Sequence, residues 1–165
     1  MAWLVWLLTL VAAEGSGTKV APKAVSQSAQ PSWIILPPEE AEHFLHPCSR
    51  PTPEGLSGSW TPTPADIDPA EALLLRRIAA EIAKVRPEFR PKKPARYYRQ
   101  YGGVLLGDRR LIFVVGLSKA MVDRRPVAFS SWRQEIPRLC DFGPQVFGAV
   151  FDPKAKAFTS FEFDR

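Results

Sequence analysis

Apolar residues recur at helical spacing through the middle of the chain. Leu74, Leu75, Ile78, Ile82 and Val85 fall on one stripe, while Arg77, Glu81 and Lys84 lie away from it. That is the pattern of an amphipathic helix resting on a sheet. Asp68-Pro69-Ala70-Glu71 supplies a start signal, with Asp68 as N-cap, Pro69 at the first helical position and Glu71 closing a capping box. Arg86 before Pro87 ends the helix.

The period then changes. Tyr97, Tyr98, Tyr101, Val104, Leu105 and Leu106 lead to Gly107-Asp108, after which Leu111 to Val115 are apolar without interruption. A glycine at the first central position of a two-residue loop suits a type II′ turn, so Arg96 to Leu117 is expected to be a β-hairpin. Its second strand is apolar on both faces and therefore has to be covered on both. In the first strand Tyr97, Arg99, Tyr101, Gly103 and Leu105 share one face, and Tyr98, Gln100, Gly102, Val104 and Leu106 the other. Gly102-Gly103 marks a bulge or a close approach of another backbone, with the bulge the simpler reading. After Gly116 the chain is expected to loosen from Ser118 to Arg125, with a short strand at Val127-Ala128-Phe129 and Trp132 as a core anchor. Gln145 to Phe151 and Ala157 to Phe163 read as a second hairpin turning at Asp152-Pro153.

These elements predict an α+β domain: one amphipathic helix packed on an antiparallel sheet of about four strands in two hairpins, in a cystatin-like element order. An irregular proline-rich arm, residues 33–66, precedes the helix and sheet of 67–165. In that arm Trp33 to Leu36 is the first stretch able to bury a side chain, Glu39 to Leu45 suits a short helix, and Pro47 to Pro64 reads as an extended connection pinned by Cys48 and Trp60. The 165-residue length supports a single domain over 33–165.

The N-terminus changes the picture from fold to compartment. Ala2 to Ala13 is an uncharged apolar run ending in small residues, which reads as a signal peptide over 1–13, and 14–32 as a disordered leader. The run is shorter than the roughly 20 residues of a spanning helix, so no transmembrane span is expected in the mature chain. A secreted or periplasmic location follows. In an oxidising compartment the two cysteines, Cys48 and Cys140, read first as a disulfide. The loop closed would be about 93 residues, worth roughly 4 to 5 kcal/mol by chain entropy.

The net charge of +5 is concentrated between Lys84 and Arg110. Within that stretch Arg96-Tyr97-Tyr98-Arg99-Gln100-Tyr101 interleaves cations with aromatic faces, chemistry that stacks on planar groups and pairs with anions. The candidate binding surface is Arg96, Tyr98, Arg99, Gln100 and Tyr101 with Arg109 and Arg110. The competing reading packs Tyr97 and Tyr101 beneath the helix and pairs Arg99 with a carboxylate. For an exported chain the partners that fit are an acidic protein, a polysaccharide or anionic envelope lipid, whereas nucleic acid lacks any supporting motif.

Candidate chemistry is thin. His43, His46 and Cys48 form an H-x-x-H-x-C cluster short of a fourth metal ligand, so no metal site and no cofactor is assigned. Cys140 with His43 or His46 and Asp141 could be drawn as a thiol hydrolase, an alternative that a disulfide would remove. A structural envelope component is a third reading.

Trp60-Thr61-Pro62, the D-P-x-E helix start, Tyr98-Arg99-Gln100-Tyr101-x-Gly103, Cys140-Asp141-x-Gly143 and Gly148-x-x-Phe151-Asp152-Pro153 with Phe158 together resemble a group of small exported bacterial proteins of uncharacterised function. The resemblance spans Trp60 to Phe163 and implies an envelope or extracellular setting. It implies no catalytic residue.

Overall fold

A computed structural model of the chain describes residues 31–40, 43, 54–91 and 96–164. The signal peptide, nearly all of the leader, His46 and Cys48 lie outside these residues. In chain order the elements are β1 (Trp33–Ile35), β2 (Leu56–Trp60), helix α1 (Pro64–Lys84), β3 (Tyr97–Leu106), β4 (Arg109–Ser118), the short helix α2 (Lys119–Arg124), β5 (Val146–Asp152) and β6 (Ala157–Phe163).

The fold is α+β, and its sheet is larger than expected. The path runs β1-β3-β4-β5-β6, with β2 also paired to β3. Both hairpins form as the sequence predicts. Gly107 adopts φ 60° while Asp108 stays on the negative side, the combination a type II′ turn requires. In the second turn Asp152 Oδ1 accepts the backbone N–H groups of Lys154 and Ala155 at 2.9 and 3.0 Å. The arm supplies the additional strands. Both lie along the outer edge of β3, β1 parallel to it with Ile35 against Tyr101, and β2 antiparallel with Trp60 against Gly103. The sheet is therefore mixed.

Two cores follow from the alternation of β3, β4 and β5. On one face Ile67, Ala70, Leu74 and Ile78 of α1 cover Tyr97, Tyr101, Ile112, Val114, Phe147 and Phe151. On the other, Leu111, Phe113, Val115 and Leu117 are covered by Met121, Val122, Phe129 and Trp132 from the segment that links the hairpins. The apolar run of β4 is thus covered twice, by a helix and by a largely irregular crossing.

Several local expectations are corrected. The helix starts earlier than Asp68: Thr63 is the N-cap, Pro64 occupies the first turn, and Asp66 Oδ2 accepts from both the Thr63 N–H and its hydroxyl at 2.7 Å. This capping box prevails because Ile67 and Ala70, both fully buried, are needed on the helical face beneath it. Pro69 is left inside the helix, where it removes the donor that would reach the Ala65 carbonyl. Leu75 is 74% exposed and lies off the buried stripe. Lys119 to Arg124 is helical and not loose. Val127-Ala128-Phe129 forms turns and no strand, with Val127 exposed and only Phe129 buried.

The paired glycines of β3 mark a close approach. Its register with β4 is unbroken. A Cβ on Gly103 would lie 2.2 Å from the Trp60 carbonyl oxygen and 2.7 Å from its ring. Trp60 is pinned there, its Nε1–H donating to the Leu111 carbonyl at 3.1 Å.

Candidate functional site

The antiparallel register places Tyr97 opposite Ser118, and the Lys119 N–H donates to the Arg96 carbonyl at 2.8 Å. Arg96 and Lys119 therefore sit side by side at the open end of the first hairpin, away from its turn. Two depressions flank them. A groove of about 970 Å³ has walls from Phe89, Pro91, Arg124, Asp141, Phe142 and Pro144. A smaller cleft of about 330 Å³ lies toward α1, walled by Ser32, Glu71, Leu75, Ile78 and Arg99. Arg96, Tyr97 and Lys119 line both.

Tyr97 is held firmly between them. Its hydroxyl donates to the Pro144 carbonyl at 2.6 Å, and its ring meets Phe147 edge-on at 5.0 Å. Burial pushes its phenol up to about 12, so it stays neutral at ordinary pH. Around this fixed ring stand three cations. Among the described residues Arg96, Lys119 and Arg124 make no ion pair. The Lys119 ammonium stands 4.7 Å from the Tyr98 ring centre, and Arg124 Nε donates to the Ala120 carbonyl. The groove also carries two acids. Asp123 accepts the Tyr98 hydroxyl at 3.1 Å, and Asp141 occupies the left-handed region at φ 62°.

The residues singled out in the sequence separate by strand parity. Arg99 and Tyr101 turn toward α1, where Arg99 forms a bidentate pair with Glu71, its Nε donating to Oε1 at 2.9 Å, and Tyr101 donates to the same carboxylate. Arg99 Nη1 also donates to Ser32 Oγ and to the Tyr97 carbonyl. Burial, with the Glu71 charge beside it, drives the Tyr101 phenol far above its ordinary value. Gln100 turns the other way and is fully buried, Nε2 donating to the Trp132 and Glu135 carbonyls. Tyr98 is half-buried against Trp132, ring centres 4.5 Å apart. Of the arginines in the expected strip, Arg96 is the one that stands at this end, and it makes no ion pair among the described residues.

Arg109 and Arg110 lie beside the turn, a strand length of roughly 30 Å from Arg96. Arg109 pairs with Asp152 at 2.8 Å and Arg110 lies 4.5 Å over the Trp60 ring. The seven residues of the expected strip do not converge on one surface. Lys119, Arg124 and Phe89, which the sequence reading did not single out, stand with Arg96 instead. A signal for Lys119 was present: Arg96 and Lys119 are equally far from the Gly107-Asp108 turn, so hairpin pairing brings them together.

The thiol and metal candidates do not assemble among the described residues. Cys140 is solvent-exposed beside Asp141, and among the described residues no cysteine is free. His43 Nδ1 lies 3.0 Å from Glu40 Oε2 and borders a separate cavity of about 530 Å³. No group of three metal-binding side chains occurs among the described residues. No helix among them is long and apolar enough to cross a membrane. No family model, no curated protein and no solved structure matches the chain.

Proposed function

We propose that this protein is a small exported binding protein that takes an anionic partner at the open end of its first hairpin. The observation that carries the reading is the pair Arg96 and Lys119, held side by side by backbone pairing, with no carboxylate partner among the described residues, on the wall shared by two depressions. Cations left unpaired beside concave surface attract anionic groups and focus their approach. Tyr98 supports the same surface by holding the Lys119 ammonium over its ring.

Export to the periplasm or the extracellular space is the second part of the proposal. It is supported by the apolar N-terminal run of Ala2 to Ala13, by the resemblance to small exported bacterial proteins, and by an even cysteine count. A Cys48–Cys140 disulfide belongs to this reading.

Titration of isotope-labelled protein with poly-glutamate, followed by amide chemical shifts, tests the binding site. Perturbations are expected around Arg96, Lys119 and Arg124, fading as salt is raised. Shifts centred on Arg109 and Arg110, or a response indifferent to salt, would remove the reading.

A further inference from the structure

The proposed site has more than charge. Among the described residues the large hydrophobic side chains left exposed are Leu75 at 74%, Phe89 at 58% and Val127 at 88%. Two of these border the depressions beside Arg96 and Lys119, Leu75 on the smaller cleft and Phe89 on the larger groove. The surface therefore reads apolar, cationic, apolar, with the cations on the wall that both depressions share. An inorganic anion or a uniformly charged polysaccharide would use the centre and leave both flanks wet.

We infer that the site recognises a short peptide segment of a partner protein in which an acidic side chain lies between two apolar ones. The carboxylate meets Arg96 and Lys119, one apolar side chain enters the cleft against Leu75 and Ile78, and the other enters the groove against Phe89 and Pro144. Charge complementarity fixes the register and apolar burial supplies affinity, the usual division in such interfaces. Fixed walls favour this occupant, because Tyr97 is anchored to Pro144 and Arg99 to Glu71, so little ordering cost falls on the protein.

This inference rests on the proposed anion site, and one experiment separates the two. A random short-peptide library displayed on phage is panned against the intact chain and, in parallel, against an Arg96→Ala plus Lys119→Ala variant. Enriched sequences are expected to carry Asp or Glu flanked by apolar residues. Synthetic peptides of those sequences should bind the double variant at least roughly tenfold more weakly. Leu75→Ser and Phe89→Ser, both exposed and so harmless to folding, should each weaken binding roughly three- to tenfold. Acidic peptides whose binding depends on Arg96 and Lys119 yet ignores Leu75 and Phe89 would overturn the peptide inference and leave the anion site standing. Binding unaffected by the double variant would overturn both. Failure to enrich any sequence, or displacement of the peptides by phosphatidylglycerol vesicles that themselves require Leu75 and Phe89, would replace the peptide with another occupant and overturn the inference.

Discussion

Arg99 of β3 and Glu71 of α1 clasp across the interface between helix and sheet, guanidinium to carboxylate, and the Tyr101 hydroxyl adds a third hydrogen bond to the same acid. The side chains are 16% and 25% exposed, so the pair is largely withdrawn from water. Removing one member leaves the other charged and poorly solvated. Glu71→Ala is expected to destabilise the protein by about 2 to 3 kcal/mol, less than a fully buried pair because some solvent remains. Urea unfolding measures it. A loss under about 0.5 kcal/mol, the range of a surface pair, would show that the clasp contributes little.

Gly116 of β4 faces Phe147 of β5, and a Cβ there would come within 1.9 Å of the ring. Gly116→Ala is expected to cost about 1 to 3 kcal/mol through overpacking. Phe147→Leu should recover part of that loss in the double variant. Gly103→Ala meets the Trp60 carbonyl, which cannot rotate away, so no single side-chain change should rescue it. Equal rescue of both glycine variants by trimming their ring neighbours would contradict this distinction.

Acid should weaken the fold through two carboxylates. Asp66 is held below its ordinary value by the Thr63 hydroxyl and then by the Thr63 N–H, and Asp152 by the Ala155 N–H and then by Arg109. A carboxylate whose folded value is depressed stabilises the protein above its unfolded value near 3.8 and loses that contribution as pH falls through the folded value. Stability is therefore expected to decline below about pH 4, and the decline should be shallower in Asp66→Asn and Asp152→Asn. Identical acid profiles in wild type and both variants would rule these groups out as the cause.

At the alkaline end the sign reverses. Tyr97 is raised to about 12 by burial, and its neutral form is the one the fold favours. Its contribution is complete below the unfolded value near 10 and is lost as pH rises toward 12. Phenolate absorbance should show Tyr97 and Tyr101 ionising only together with unfolding, and Tyr98, raised less far, ionising first. A phenol titrating near its ordinary value at position 97 would mean that it is not enclosed.

Gln100 ties the irregular crossing to the sheet through the Trp132 and Glu135 carbonyls. Gln100→Leu keeps the volume and removes both donors, so it is expected to cost about 1 to 3 kcal/mol. Hydrogen exchange should rise first between Phe129 and Gln134, whose backbone bonds are local turns. Unchanged exchange there would show that the side chains of Phe129 and Trp132 hold the crossing alone.

The sequence made the two hairpins legible because their turns carry strong local chemistry and β4 has no polar alternation to allow another placement. Strand parity in β3 likewise foretold which of Tyr97, Tyr98, Arg99, Gln100 and Tyr101 would share a face. The helix start was ambiguous for a concrete reason. Thr63-Pro64-Ala65-Asp66 and Asp68-Pro69-Ala70-Glu71 carry the same signal, and only burial of Ile67 and Ala70 selects the first. The arm strands are not legible in the sequence because Trp33–Ile35 and Leu56–Trp60 are too short to show a period, and they exist by pairing with residues far away in the chain. The site was half legible: Arg96 was singled out, but its neighbour Lys119 becomes visible only once the hairpin register is followed to its end.

The parallel seam between β1 and β3 has a temporal consequence. A ribosome delivers Trp33 to Ile35 long before the residues that will flank them, and the seam has no turn of its own to hold it in register. This short ribbon must wait, unaccompanied, until the hairpin presents its outer border at Arg99 to Tyr101, so its place in the architecture depends on a partner made some sixty residues later.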